Sequence, residues 1–264
     1  MQRVFNTLGC DMVRMAKLQS GRYLLSADSP KAVCIAAGGS VELVVENVVG
    51  DLSLEVERGA TLRLVRLTTE HDCDSQFDIT LHEAAECYAT DVILSSADVR
   101  LSVKLVGAHS TVDVGGVFLL SGQERGSVTA DVAHDTEHTT SRVKYKGVGS
   151  GNARGKFSGL VYVAQGAQHT DSEQLSRNVV LGQARIDSKP QLEIYADDVR
   201  CSHGATVGQL DEQAILYMRQ RGLSLQMAQR LQIEGFVSDV VLHSAVEDCQ
   251  PMLMEVLQNK LQTL

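Results

Sequence analysis

The sequence has no tryptophan, and its aromatic residues make up only 4% of 264 positions. Aromatic side chains normally fill thick cores because each buries so much area. A core of valine, leucine, isoleucine and alanine points instead to thin, repetitive packing. Only 3 prolines interrupt the chain, while 22 glycines supply turns. None of the six cysteines (Cys10, Cys34, Cys73, Cys87, Cys201, Cys249) forms a Cys-x-x-Cys pair, so zinc-ribbon spacing is excluded. In a reducing compartment they stand as free thiols, mostly small apolar fillers. No cluster of lysine and arginine offsets the net charge of −9, and a field of that sign repels nucleic acid and anionic lipid. No apolar run reaches the roughly 18–20 residues that span a bilayer. The opening Met-Gln-Arg-Val-Phe carries no export signal. The expectation is a cytoplasmic chain whose partners include neither nucleic acid nor membrane.

What the sequence does contain is alternation. Residues 1–40 are poorly patterned, but from Val41 short runs place an apolar residue at every second position. Examples are Val41-Glu-Leu-Val-Val-Glu, Leu52-Ser-Leu-Glu-Val-Glu, Thr61-Leu-Arg-Leu-Val-Arg-Leu and Val99-Arg-Leu-Ser-Val-Lys-Leu. Period 2 with β-branched residues is the signature of a strand with one face inside and one in water. No helical pattern interrupts residues 41–207. Small-residue breaks recur at Gly59-Ala60, Ala84-Ala85, Gly107-Ala108 and Asn152-Ala153, about 25, 23 and 45 residues apart, the last taken as two periods. Such spacing suits stacked solenoid coils, with a sandwich or barrel as the alternative.

After Gly208 the pattern becomes helical, over residues 208–264. Asp211 is placed to cap a first helix that stops at Gly222, and Ser224 to cap a second reaching Val240 or beyond. Pro251 sits at the start of a third. These helices are suited to cap the open end of a solenoid, to dock another protein, or both.

Few residues carry chemistry. On a straight strand His134 and His138 would share a face about 13 Å apart, too far to bind one metal ion at about 2 Å each, so a polar solenoid edge is expected there. Gly147-Val-Gly-Ser-Gly-Asn-Ala-Arg-Gly lacks the Gly-Lys-Ser/Thr ending of a phosphate loop and reads as turn chemistry. Asp197-Asp198 reads as a solvated turn. In Val199-Arg-Cys-Ser-His203, by contrast, Cys201 and His203 project from one face. A thiolate and an imidazole suit iron or an iron–sulfur cluster, but two ligands do not complete a site. A second chain would supply the rest. Packing of Cys201 beside Val199, with His203 at the strand end, is the bland reading of the same residues.

The run Asp131-Val-Ala-His-Asp-Thr-Glu-His-Thr-Thr-Ser-Arg-Val-Lys-Tyr-Lys-Gly-Val resembles the core of the SufB/SufD family. So do Ala153-Arg-Gly-Lys-Phe-Ser-Gly and Ala167-Gln-His-Thr-Asp-Ser-Glu-Gln. The resemblance is closest at Lys189-Pro-Gln-Leu-Glu-Ile-Tyr-Ala-Asp-Asp-Val-Arg-Cys-Ser-His-Gly-Ala-Thr-Val-Gly-Gln-Leu-Asp-Glu and continues into Tyr217-Met-Arg-Gln-Arg-Gly. It spans roughly residues 127–245. It implies a right-handed parallel β-helix over 41–207 and a C-terminal helical domain that binds a SufC-type ATPase. A SufB-type scaffold is the implied partner, with a transient iron–sulfur cluster at the shared interface, no stably bound cofactor and no catalysis by the chain itself. Self-pairing of the isolated chain is a further expectation. SufB-type members often carry a cluster-assembly cysteine after Pro-x-Ile/Leu-Glu. Here Ile194 follows, so the resemblance is to the SufD branch, where the histidine of Cys-Ser-His-Gly serves cluster assembly. That histidine falls on His203, beside Cys201. Family members usually carry a helical region ahead of the β-helix, whereas here the strand pattern starts close to the first residue. A solenoid enzyme acting on polysaccharide or acyl substrates is the competing class.

Overall fold

The computed structural model describes residues 6–7, 15–25 and 31–264. Cys10 and the Met1–Phe5 stretch lie outside the described residues. Each strand pairs in parallel with the strand two places earlier, never with its predecessor. The chain therefore winds as a flattened coil with two walls. The first wall holds β1 (Asn6–Thr7), β3 (Gly21–Leu25), β5 (Ser40–Glu46), β7 (Thr61–Thr68), β9 (Glu86–Ile93), β11 (Thr111–Leu120), β13 (Thr140–Gly149), β15 (Asp171–Val180) and β17 (Arg200–Gly208). The second holds β2 (Ala16–Leu18), β4 (Ala32–Ile35), β6 (Gly50–Val56), β8 (Ser75–Leu81), β10 (Asp98–Leu105), β12 (Arg125–His134), β14 (Arg154–Val163) and β16 (Arg185–Ile194). This is a parallel β-solenoid, as expected, and not a sandwich or barrel.

The coils lengthen along the chain. Register offsets are 21 residues at Ser40–Thr61, 25 at Thr61–Glu86 and Glu86–Thr111, 29 at Thr111–Thr140, 31 at Thr140–Asp171 and 29 at Asp171–Arg200. This drift is why the repeat is faint in sequence. Gly59-Ala60, Ala84-Ala85 and Gly107-Ala108 do share one corner, between the second wall and the first. Asn152-Ala153 lies at the opposite corner, between β13 and β14, so the 45-residue spacing is not two periods. Small residues are favoured at both corners, which made the two indistinguishable. Strand pairing also begins ahead of Val41. β2, β3 and β4 extend both walls, but their runs of 3, 5 and 4 residues are too short to display alternation.

Inside, the side chains stack as columns, and alternation along each strand feeds one residue per rung into each column. One column of the first wall reads Val41, Leu62, Cys87, Val112, Ser141, Ser172, Cys201, and the next reads Leu43, Leu64, Ala89, Val114, Val143, Gln174, His203. The lumen is aliphatic for most of its length and becomes polar in the last three coils.

Alternation fails where the outer face is covered too. Val44, Val65, Leu67, Val92, Val117, Leu119 and Val148 point outward, yet they are buried with Ile233, Val237, Val241, Leu253 and Leu257 of the helices. Strands buried on both faces read as continuous apolar runs, as in Leu64-Val65 and Val117-Phe118-Leu119-Leu120. The helices are α1 (Glu212–Gln220), α2 (Leu225–Leu242) and α3 (Gln250–Leu261). Asp211 accepts from the N–H groups of Gln213 and Ala214, Ser224 accepts from that of Met227, and Pro251 stands in the first turn of α3. The caps fall where the sequence places them. The packing does not: α2 and α3 lie on the outer face of the first wall, so they do not cap the solenoid end. The apolar rows named above draw them there.

Candidate functional site

Among the described residues, β17 and β16 are the last strands of their walls and have no strand neighbour beyond them. The Arg200 N–H donates to the Thr170 carbonyl at 2.8 Å, toward β15. By alternation, the N–H and C=O groups of Cys201, His203, Ala205 and Val207 face the free edge. An exposed row of unpaired backbone groups is a template for another strand. Around it lie exposed Ile194, Tyr195 and Val207, with the Tyr195 ring tilted against Tyr162 at 5.6 Å.

Cys201 and His203 occupy successive inward columns of this terminal coil, in register with buried Ser172 and Gln174. His203 is exposed through the open end, and Cys201 is half-buried. The thiol packs beside Val199 and Leu192 against Val161, Val163, Ala167 and Ala196. Burial raises its pKa, the backbone of Ser172 pulls the other way, and nearby Asp171 raises it further. The remaining described cysteines are free and buried. Burial pushes the Cys87 thiol up to about 12 and the Cys249 thiol to about 11, so neither is a thiolate at neutral pH. Among the described residues, no three His, Cys, Asp or Glu side chains converge where one metal ion would sit. Cys201 and His203 are brought to one place, with Ile194 on the neighbouring wall.

The other sequence candidates separate. His134 is the last residue of β12 and is fully buried, so the expected polar edge is wrong for it. Its Nδ1 meets Thr139 Oγ1 at 2.7 Å and its Nε2 meets Ser141 Oγ at 2.9 Å, and Ser141 Oγ meets Ser172 Oγ at 2.7 Å. The strand ends at His134, and the chain turns before His138. His138 sits exposed at the corner with φ of 56°, stacked between His109 at 5.0 Å and His169 at 4.6 Å. Asp198 pairs with His169 Nδ1 at 3.0 Å, in a turn as expected. Residues 147–155 form the end of β13, a corner and the start of β14.

Two features escaped the sequence. Arg66 and Asp91 form a buried ion pair inside the solenoid, with the Tyr145 hydroxyl also on Asp91 and the guanidinium 4.7 Å from the Phe77 ring centre. The polar lumen of the last coils was the second. Its signal was present: Ser141 shares the phase of Val143, and Gln174 shares that of Ser172 and Ser176, so alternation turns all of them inward.

Against this geometry, residues 15–236 match the family model described as SUF system FeS cluster assembly, SufBD core domain. The chain is 35% identical over 194 residues to the iron–sulfur cluster assembly protein SufD of Escherichia coli, covering 71% of this chain and 46% of that protein. It is 39% identical over 197 residues to an iron–sulfur cluster assembly SufBD family protein of Synechocystis, covering 71% and 43%. It is 30% identical over 160 residues to SufD of Bacillus subtilis, covering 60% and 37%. The chain thus spans about half the length of the curated relatives it matches, or less. With the parallel solenoid and a match over most of its length, the chain belongs to the SufBD core family and is of the SufD type.

Proposed function

We propose that this chain is a scaffold subunit for iron–sulfur cluster assembly. In this reading it pairs with a SufB-type chain through its terminal coil and binds a SufC-type ATPase through its helices. The observation that carries the reading is the open edge of β17, where a thiol and an imidazole stand beside unpaired backbone groups. Two ligands hold an iron–sulfur cluster poorly, and a strand added along the edge brings the missing ones. A second copy of this chain would take the same edge when the partner is lacking. The helical unit offers the other surface: Leu216, Tyr217, Leu225, Met227 and Leu231 are exposed on α1 and the first half of α2, an apolar group left partly open to solvent.

An enzymatic reading finds less support. A concavity of about 860 Å³ lies between the first wall and the end of α2. Of the carboxylates lining it besides Asp113 and Glu247, Glu42 and Asp248 pair with Arg22 and Asp239 pairs with Lys146. A solenoid hydrolase needs two carboxylates facing a substrate across the groove.

The test is the cluster content of the anaerobically purified complex. His203→Ala and Cys201→Ser should each lower bound iron and sulfide severalfold while both partners still co-purify. Wild-type cluster content in the double variant would remove these residues from the role.

A further inference from the structure

The two walls treat their outward charges differently. On the first wall Arg22, Arg142, Lys144 and Lys146 each pair with a carboxylate. The helices lie over that wall, while on the second wall β12, β14 and β16 leave Arg125, Arg154, Lys156, Arg185 and Lys189 exposed. Among the described residues none of these five forms an ion pair.

Three of the five stand in one column. Arg125, Arg154 and Arg185 are register partners near the start of their strands. At roughly 4.8 Å per strand the column spans about 10 Å. Lys156 is the next outward residue along β14. Like charges side by side on neighbouring strands repel, and the nearby carboxylates do not relieve them. Glu124, beside Arg125 in the chain, is turned to the helices, with Lys260 Nζ at 2.7 Å from both its oxygens. Asp98 accepts from Ser127 Oγ at 2.6 Å. Asp187 is the register partner of Lys156, yet the two form no ion pair.

Arg154 is held in place for a ligand. Its Nη1 donates to the carbonyls of Asn152, Ala153 and Gln183 at 3.0, 3.0 and 2.8 Å. Arg142, at the opposite corner, rests on the Ser141 and Asp171 carbonyls in the same way, and its Nη2 then meets the Asp171 carboxylate at 2.9 Å. Arg154 has the carbonyl seat without the carboxylate. A guanidinium fixed in this way loses little freedom when an anion arrives. A groove of about 420 Å³ lies against Arg125, Arg154 and Lys156, and Asp72, Asp74 and Asp98 line it on the preceding coils.

We infer that the Arg125–Arg154–Arg185 column, with Lys156, docks an acidic segment of a protein partner, one carboxylate per rung. Planar carboxylates meet guanidinium forks through paired N–H···O bonds. The short column favours such a segment over nucleic acid or an anionic membrane. A longer polyanion would run into Asp72, Asp74 and Asp98, on a chain whose net charge is −9. Only Arg185 lies on a terminal strand. The site is otherwise separate from the free edge of β17 and from the exposed face of α1, and neither docking role enters it.

Fluorescence anisotropy of a fluorescein-labelled hexaglutamate peptide, titrated with the full chain at low salt, tests the site. The wild type should bind it saturably. Arg125→Ser combined with Arg185→Ser should weaken binding about tenfold, and neither side chain has a bond whose loss would disturb folding. Arg154→Lys keeps the charge but loses the fork, and should weaken it about threefold. Arg219→Ser combined with Arg221→Ser, which removes two exposed cations from the α1 end, should leave binding unchanged. No saturable binding by the wild type would overturn the site. So would equal affinities in the wild type and the Arg125/Arg185 variant, or as large a loss in the α1 variant. Tighter binding of a labelled hexathymidylate than of the peptide would overturn it too, in favour of nucleic acid.

Discussion

His134 departs furthest from what its sequence neighbourhood suggested. Beside a second histidine and two acids it looked like an edge residue, yet it is the inner terminus of a hydroxyl chain through Ser141 to Ser172. Burial lowers its pKa to about 4, against an ordinary value of 6.5. The unfolded chain therefore binds a proton between those values that the folded chain refuses. Stability from this group is complete above about pH 6.5 and drains away as pH falls toward 4, by about 3 kcal/mol at most. Urea unfolding at pH 7.5, 5.5 and 4.5 should show a loss in the wild type that is shallower in His134→Asn. Equal slopes in the two proteins would contradict it. Cys201 and His203 were legible because period 2 puts residues 201 and 203 on one side of any strand, whatever sheet it joins. Their position at an edge was not, because that depends on where the coils stop. The Arg66–Asp91 pair was hidden as well: 25 residues separate its members, and only the coil register brings them together.

At the scale of elements, helix ends were read well because a cap is a local device. Asp211, Ser224 and Pro251 act within their own first turns. Strands from Val41 onward were visible for the same reason, since alternation needs only five or six residues. The early strands were too short to show it, and the side on which the helices pack was not written in any single segment. The columns also contain a demand that alternation does not reveal. At Gly147 of β13 an added Cβ would lie 2.2 Å from Phe118 Cζ and 2.3 Å from Asn178 Oδ1, because side chains from the rungs on both sides fill its space. Gly147→Ala should destabilise the chain by about 2 kcal/mol through overpacking. Its denaturant midpoint should drop with little change in slope. An unchanged midpoint would mean that these coils are packed more loosely than the contacts imply.

The whole molecule is a stack with unlike surfaces. One side of the first wall is occupied by its own helices, which present an apolar face outward. The terminal coil is left with bare backbone. A parallel solenoid cannot satisfy its last rung from within, because every earlier rung depends on the next. Charge agrees with a protein-binding rather than a nucleic-acid-binding surface, since the chain carries −9 overall. No helix among the described residues is long and apolar enough to cross a membrane. Two separate docking surfaces form the central claim, and each can be blocked alone. Proline at Ala205 removes an N–H from the free edge and leaves the bonds to β15 in place. Aspartate at Leu216 and Tyr217 spoils the helical face without touching any buried residue. The most direct measurement is the composition of the complex captured from cells by the tagged chain, identified by mass spectrometry. The account predicts that Ala205→Pro loses the SufB-type chain and keeps the ATPase, while Leu216→Asp with Tyr217→Asp loses the ATPase and keeps the SufB-type chain. Both companions retained by both variants would contradict it.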